Sequence, residues 1–169
     1  MIKKVVVLGV RSSLFHSKVS LTHMFIQATG KVGVQVVHAF PQAGFNVIAV
    51  SRSSTSSSSI PPTVQQATVD YSNPESLTAL FKNQDAVVEA FNPEVLSSHH
   101  KMITDAIVSS GVKHVITPDF SSDTFNSFAH ELEIFELKLE AQRYLEERVL
   151  GNNLKWAAVI TGPLFDWGK

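Results

Sequence analysis

Two short stretches, VVVLG at residues 5–9 and ATGKVG at residues 28–33, decide how this chain is read. The first is a β-branched run closed by glycine, the composition of a strand buried on both faces. The second has the form of a glycine turn opening a helix. Beyond it, Val32, Val36, Val37 and Phe40 fall on one face of a helical pattern over Lys31–Ala43, and Pro41 and Gly44 mark its exit. Strand, glycine turn and helix belong together, yet residues 10–27 stand between the strand and the turn.

Working outward, strand and helix patterns alternate. Phe45–Val50, Val64–Val69, Asp85–Ala90, Val112–Ile116 and Leu154–Ile160 read as further strands. A helix starts at Asn73-Pro74-Glu75, with proline suited to the first turn. Pro93–Ser110 is a second helix, ended by Gly111, and Glu131–Leu150 a third, ended by Gly151. Arg52–Ser59 is serine-rich and reads as a loop. About six strands separated by helices predict an α/β protein with a doubly wound parallel sheet, because parallel neighbours need right-handed crossovers. One domain is expected over residues 1–169, with 10–27 as an inserted loop. In such a sheet ligands bind beyond the carboxyl ends of the strands. The glycine turn, the serine loop, Asp70-Tyr71 and the Phe120-Ser121-Ser122-Asp123 loop all fall there.

The bulk composition narrows the function. Of 169 residues, 44% are hydrophobic and 17% charged, and the net charge is -1. Nothing in that balance suggests a nucleic-acid or anionic-membrane surface. There is no cysteine, which removes disulfides and thiolate chemistry and fits an intracellular, cytoplasmic protein. The apolar start is cut by Arg11 and lacks a clear cleavage site, so it reads as a strand rather than a signal peptide. No apolar stretch is long enough to span a bilayer.

Removing residues 10–27 in thought yields VVVLG-ATGKVG, in which Gly9, Gly30 and Gly33 form G-x-x-G-x-x-G between a strand and a helix. A tight turn uses glycine's freedom in φ, a pyrophosphate must approach bare backbone, and the free N–H groups of the helix start attract phosphates. The other reading is a plain strand–helix turn. Arg52 lies just past the second strand, where a basic residue accommodates the 2′-phosphate of NADP. Its alternative is a solvated loop arginine.

The spliced VVVLG-ATGKVG, AGFNVIAVSRSS, VDYSNPESLTALFKNQDAVV, SSGVKHVITPDFSSDT and TGPLFDWG together resemble the NmrA-like, isoflavone reductase-like branch of atypical short-chain dehydrogenases. The resemblance implies a Rossmann-like NADP-binding domain of an NADP-dependent oxidoreductase acting on an aromatic or other small molecule. Some relatives bind the dinucleotide without turnover, as redox-sensing regulators with protein partners, and an inactive fragment is a further alternative. Carried over residue by residue, the cofactor would meet Gly9, Thr29, Gly30, Lys31, Gly33, Arg52, Asp70 and Tyr71. Lys138 matches the lysine that reductase members carry on the long helix, and is the candidate catalytic residue.

Lys138 also stands out without the family. At about 100° per residue, Phe135, Leu139, Leu145 and Val149 define an apolar half of the helix, and Lys138 falls inside it. A buried lysine needs a partner or a ligand, whereas one at the stripe's edge snorkels to water.

Three features depart from the family. Thr117-Pro118-Asp119-Phe120-Ser121 replaces a proline-serine-glutamate-phenylalanine-glycine loop. Glu89 brings a carboxylate to the expected cofactor side, where it would repel a dinucleotide unless strand alternation aims it elsewhere. The chain stops at Trp167-Gly168-Lys169, where members run on, so the C-terminal substrate lobe is expected to be missing.

Residues 10–27 have the character of a translated intron. Val10-Arg11 can be encoded by GTACGT, Leu21-Thr22 by bases resembling a branch point, and Gln27 by CAG. The alternative is a long loop folding over the cofactor. Either way the expectation is a segment that loops out at the carboxyl edge and weakens NADP binding. No metal site is expected: His99 and His100 are adjacent on a helix, without the i, i+4 spacing of a zinc helix, and no G-x-S-x-G elbow occurs. Asp123-Thr124 reads as a cap for the following turn.

Overall fold

The structure is a computed structural model of the chain; it describes residues 31–51 and 59–162, and residues 22–26 as backbone. The elements are β1 (Thr22–Ile26), α1 (Lys31–Gln42), β2 (Asn46–Ser51), β3 (Gln65–Thr68), α2 (Pro74–Phe81), β4 (Ala86–Glu89), α3 (Pro93–Ser110), β5 (His114–Ile116), α4 (Glu136–Val149) and β6 (Lys155–Ala157). All strand pairs are parallel, in the order β3-β2-β1-β4-β5-β6. This is the doubly wound arrangement, whose strand order reverses between β1 and β4.

The central strand differs from the sequence reading. Thr22–Ile26, within the segment expected to loop out, pairs with both β2 and β4: Met24 lies opposite Ile48 on one side and Val87 on the other. Residues 22–26 are therefore a strand and no part of an inserted loop. Met24-Phe25-Ile26 is a short apolar run immediately before the glycine turn, and a central parallel strand needs little more than that. Val5–Gly9 and residues 10–21 lie outside the described residues.

Side chains alternate between two cores. Val87, Val50 and Val115 face a layer containing Leu77, Phe81, Ile103, Ile107 and Leu145 from α2, α3 and α4. Val88 and Ala49 face the other way, with Ile116 beside them, against Val36, Val37 and Phe40 of α1. All four residues of β4 are buried, as a strand covered on both faces requires.

Local signals set the helix ends. Asn73 Oδ1 accepts from Ser76 N and Asn92 Oδ1 from Val95 N, each at 3.0 Å, with Pro74 and Pro93 following. Gly111 ends α3 at φ 79°, a left-handed conformation that glycine reaches without penalty. The helix expected over Glu131–Leu150 is shorter. Two 3-10 turns, Ser127–Glu131 and Glu133–Phe135, precede α4, because Leu132 between them is extended at φ -107°, ψ 115°. This stretch leaves Phe128 72% and Ile134 79% exposed. Among the described residues no helix is long and apolar enough to cross a membrane.

Candidate functional site

The crevice where strand order reverses is built from the ends of β1 and β4 and the start of α1. Ile26 lies opposite Glu89 in the ladder. Helix α1 opens at Lys31, which is exposed, and buries Gly33 in its first turn. Lys31 and Gly33 thus follow the exit of the central strand. That strand is Thr22–Ile26, not the Val5–Gly9 run. Gly9, Thr29, Gly30 and Arg52 lie outside the described residues.

Asp70 and Tyr71 follow β3 but have different environments. Asp70 Oδ1 accepts from Ser72 N at 2.9 Å and Ser72 Oγ at 2.6 Å. The side-chain bond, then the backbone bond, holds its carboxyl below the usual range. Tyr71 is 2% exposed, its ring edge-on to Phe91 and His99 at 6.2 and 6.0 Å. Its ring belongs to the core, so Asp70 is the member of the pair whose side chain is exposed.

Lys138 is half-buried on α4, and its ammonium donates to the Asp119 carbonyl and, at 2.7 Å, to Ser121 Oγ. Burial lowers its pKa, and the Asp119 charge opposes that effect. Ser121 stands where the family loop carries glycine, so the departure supplies a hydroxyl that helps fix the ammonium. The loop bends sharply here, with Phe120 at φ 29° although it is buried and bulky.

Asp119 itself is 3% exposed and fully partnered. Its Oδ2 accepts from Thr117 Oγ1 at 2.6 Å, and its Oδ1 from Thr124 Oγ1 and Gln142 Nε2, both at 2.9 Å. Gln142 also donates to Thr124 Oγ1 at 2.8 Å. Three neutral donors and a nearby ammonium compensate a buried carboxylate. Thr124 is thus a buried network member, while Asp123 caps the turn by accepting from Phe125 N at 3.0 Å. Sequence reasoning missed this network. Gln142, one helical turn after Lys138 on the apolar half, was its visible trace.

Glu89 lies two residues after Val87 and so faces the α3–α4 layer, away from α1. Burial, and then repulsion by Asp119, raises its carboxyl to about 8. It is therefore largely protonated at neutral pH and adds little negative charge to the crevice. With His100, Thr104, Thr117, Asp119, Lys138 and Gln142 it lines a cavity of about 10 Å³, close to the volume that holds one water. The arrangement can fix an ammonium at the carboxyl edge and keep a protonated carboxyl behind it.

Known proteins share this architecture. The complex "AtPrR2 with NADP+ and (+)pinoresinol" has a TM-score of 0.68 and 16% identity, over 83% of this chain and 49% of that one. The leucoanthocyanidin reductase–NADPH complex from Vitis vinifera has a TM-score of 0.72 and 16% identity, over 88% and 52%. The Citrobacter sp. triphenylmethane reductase complexed with NADP(H) has a TM-score of 0.61 and 22% identity, over 82% and 48%. The chain spans about half the length of these three proteins. No curated protein matches it. The family described as NAD(P)H-binding matches residues 28–169, from the glycine turn to the last residue. Parallel sheet and family match agree: this chain belongs to the NAD(P)H-binding family.

Proposed function

We propose that this chain is the dinucleotide-binding part of an NADP-dependent reductase of the isoflavone reductase-like kind, acting in the cytoplasm on a small aromatic molecule. The observation that carries the reading is the placement of Lys138: a half-buried ammonium held by the Asp119 carbonyl and Ser121 Oγ, on the loop beyond the carboxyl end of β5. The phosphates would meet the glycine turn and the start of α1 at Lys31 and Gly33, with Gly9, Thr29 and Gly30 supplying the rest of the cradle. Arg52 would meet the 2′-phosphate and Asp70 the adenine side, with Tyr71 as its core support. Protonated Glu89 and an α1 start free of acidic residues fit an anionic cofactor.

When bound, the reduced dinucleotide supplies a hydride. Lys138 orients the substrate's polar group and gives it a proton. Compounds related to (+)pinoresinol, the leucoanthocyanidins and triphenylmethane dyes, the molecules in the neighbours' names, are the first substrates to assay.

Titration calorimetry with NADPH and NADH tests the cofactor reading. NADPH is expected to bind at least tenfold tighter, and Arg52→Glu to abolish that preference. Lys138→Ala is expected to keep NADPH binding and to lower kcat for NADPH oxidation by about 10²- to 10⁴-fold. Binding without turnover in the unaltered chain would favour the alternative, a redox-sensing regulator with a protein partner, or an inactive fragment.

A further inference from the structure

We propose that Glu89 and His100, joined through one water in the cavity beneath Lys138, form a proton reserve that reloads the Lys138 amine after each reduction. The proposal rests on the reductase reading above. Its geometry begins with His100, which is 6% exposed. His100 Nδ1 faces the Leu96 carbonyl, which can only accept, so Nδ1 carries a proton, and in that tautomer Nε2 presents a lone pair. Nε2 is buried with no hydrogen-bond partner, an expensive state for a polar atom. The cavity His100 lines has room for a single water, and Glu89, Thr104 and Lys138 line it too. A buried water wants two to four such partners.

The chemistry balances. The substrate takes a hydride from the dinucleotide and a proton from Lys138 Nζ, leaving a neutral amine. The Glu89 O–H bond breaks as its proton passes to the water oxygen, and a proton of the same water forms the new N–H bond on Nζ. His100 Nε2 accepts the water's other hydrogen and so positions it. Glu89 is left as a carboxylate and regains its proton from bulk water when the product leaves. The titratable groups around the cavity are Glu89 on β4, His100 on α3, Asp119 beyond β5 and Lys138 on α4. Tyr144 packs edge-on against His100 at 6.1 Å, and Glu140 lies within its electrostatic reach. Both Asp119 oxygens already accept from Thr117, Thr124 and Gln142, so Asp119 is not a link in the relay.

The test combines a high-resolution crystal structure, NMR of lysine side chains, and kinetics on the full chain and on Glu89→Gln, which preserves shape and a donor. A water within hydrogen-bond distance of both Glu89 and His100 Nε2 is expected, and a dry cavity would overturn the proposal. The Lys138 titration midpoint is expected to fall by about half a pH unit in Glu89→Gln, because a carboxylate lining the same cavity is gone; an unmoved midpoint would also overturn it. With an aromatic substrate, Glu89→Gln is expected to lower kcat about tenfold at unchanged KM and to leave only the alkaline fall of kcat set by Lys138 itself. Equal kcat profiles would sink the relay. Calorimetric NADPH binding judges the reductase reading separately. Its failure with the water and linked titration present overturns the reductase reading, and with it the relay's part in turnover, while leaving the hydrated Glu89–His100 pair; its success with a dry cavity strikes the relay alone.

Discussion

Glu89 shows how little a residue's name says about its charge. Its carboxyl, raised to about 8 by burial, binds a proton that the unfolded chain releases near 4.5. The folded state holds the extra proton between those values, so the stabilisation is complete below about 4.5 and is lost as pH rises toward 8. For this one group the expected slope is at most about 1.4 kcal/mol of stability lost per pH unit in that window. Urea unfolding at pH 5, 7 and 9 should show that loss in the unaltered chain, and Glu89→Gln should flatten it. The Asp119 network makes the opposite kind of prediction. Thr124→Val leaves the buried carboxylate short of a donor and is expected to destabilise by about 1–3 kcal/mol, read as a lower urea midpoint. Lys138 was legible in the sequence because helical periodicity puts it among apolar neighbours. Glu89 was visible only as a possible repulsion, since its direction depends on strand register and its charge on residues some 30 and 50 positions away. His100 read as one of two unremarkable histidines, because nothing local reveals that a ring nitrogen will be sealed in without a partner.

Among elements, the helices from Pro74 and Pro93 were readable from their asparagine–proline starts, and Asn92→Ala should lower stability by about 1 kcal/mol in urea unfolding. Five strands fell where apolar runs predicted them, with edges shifted by a few residues. The first did not. VVVLG is the stronger strand sequence, and its glycine restores the phosphate spacing, so it drew the assignment away from THMFI. Adjacency to the turn decides otherwise: a strand ending at Ile26 feeds α1 directly. Deleting residues 10–27 therefore offers the central position to Val5–Leu8 and sets Gly9 immediately before Ala28. That variant is expected to stay folded and to bind NADPH more tightly, since glycine replaces Gln27 where backbone must approach pyrophosphate. Calorimetry on both chains checks this, and equal affinities would contradict it. The 3-10 stretch before α4 was not legible because an extended Leu132 interrupts an otherwise helical pattern.

For the whole molecule, the alternation of apolar strands and helices was enough to specify a parallel doubly wound sheet, because chirality and crossover length leave few other ways to bury those strands. The substrate of the proposed reductase was not legible, since substrate selection lies in loops whose composition tolerates many shapes.

The strand order also governs when the protein can be finished. β1 has β2 on one side and β4 on the other, so the second flank of its ladder stays bare until residue 89 has left the ribosome. Until then a half-made sheet presents unpaired amides to other nascent chains. Spacing nascent chains apart by slowing initiation, or shielding the edge with a holdase, should raise the soluble yield more than any change at the site itself.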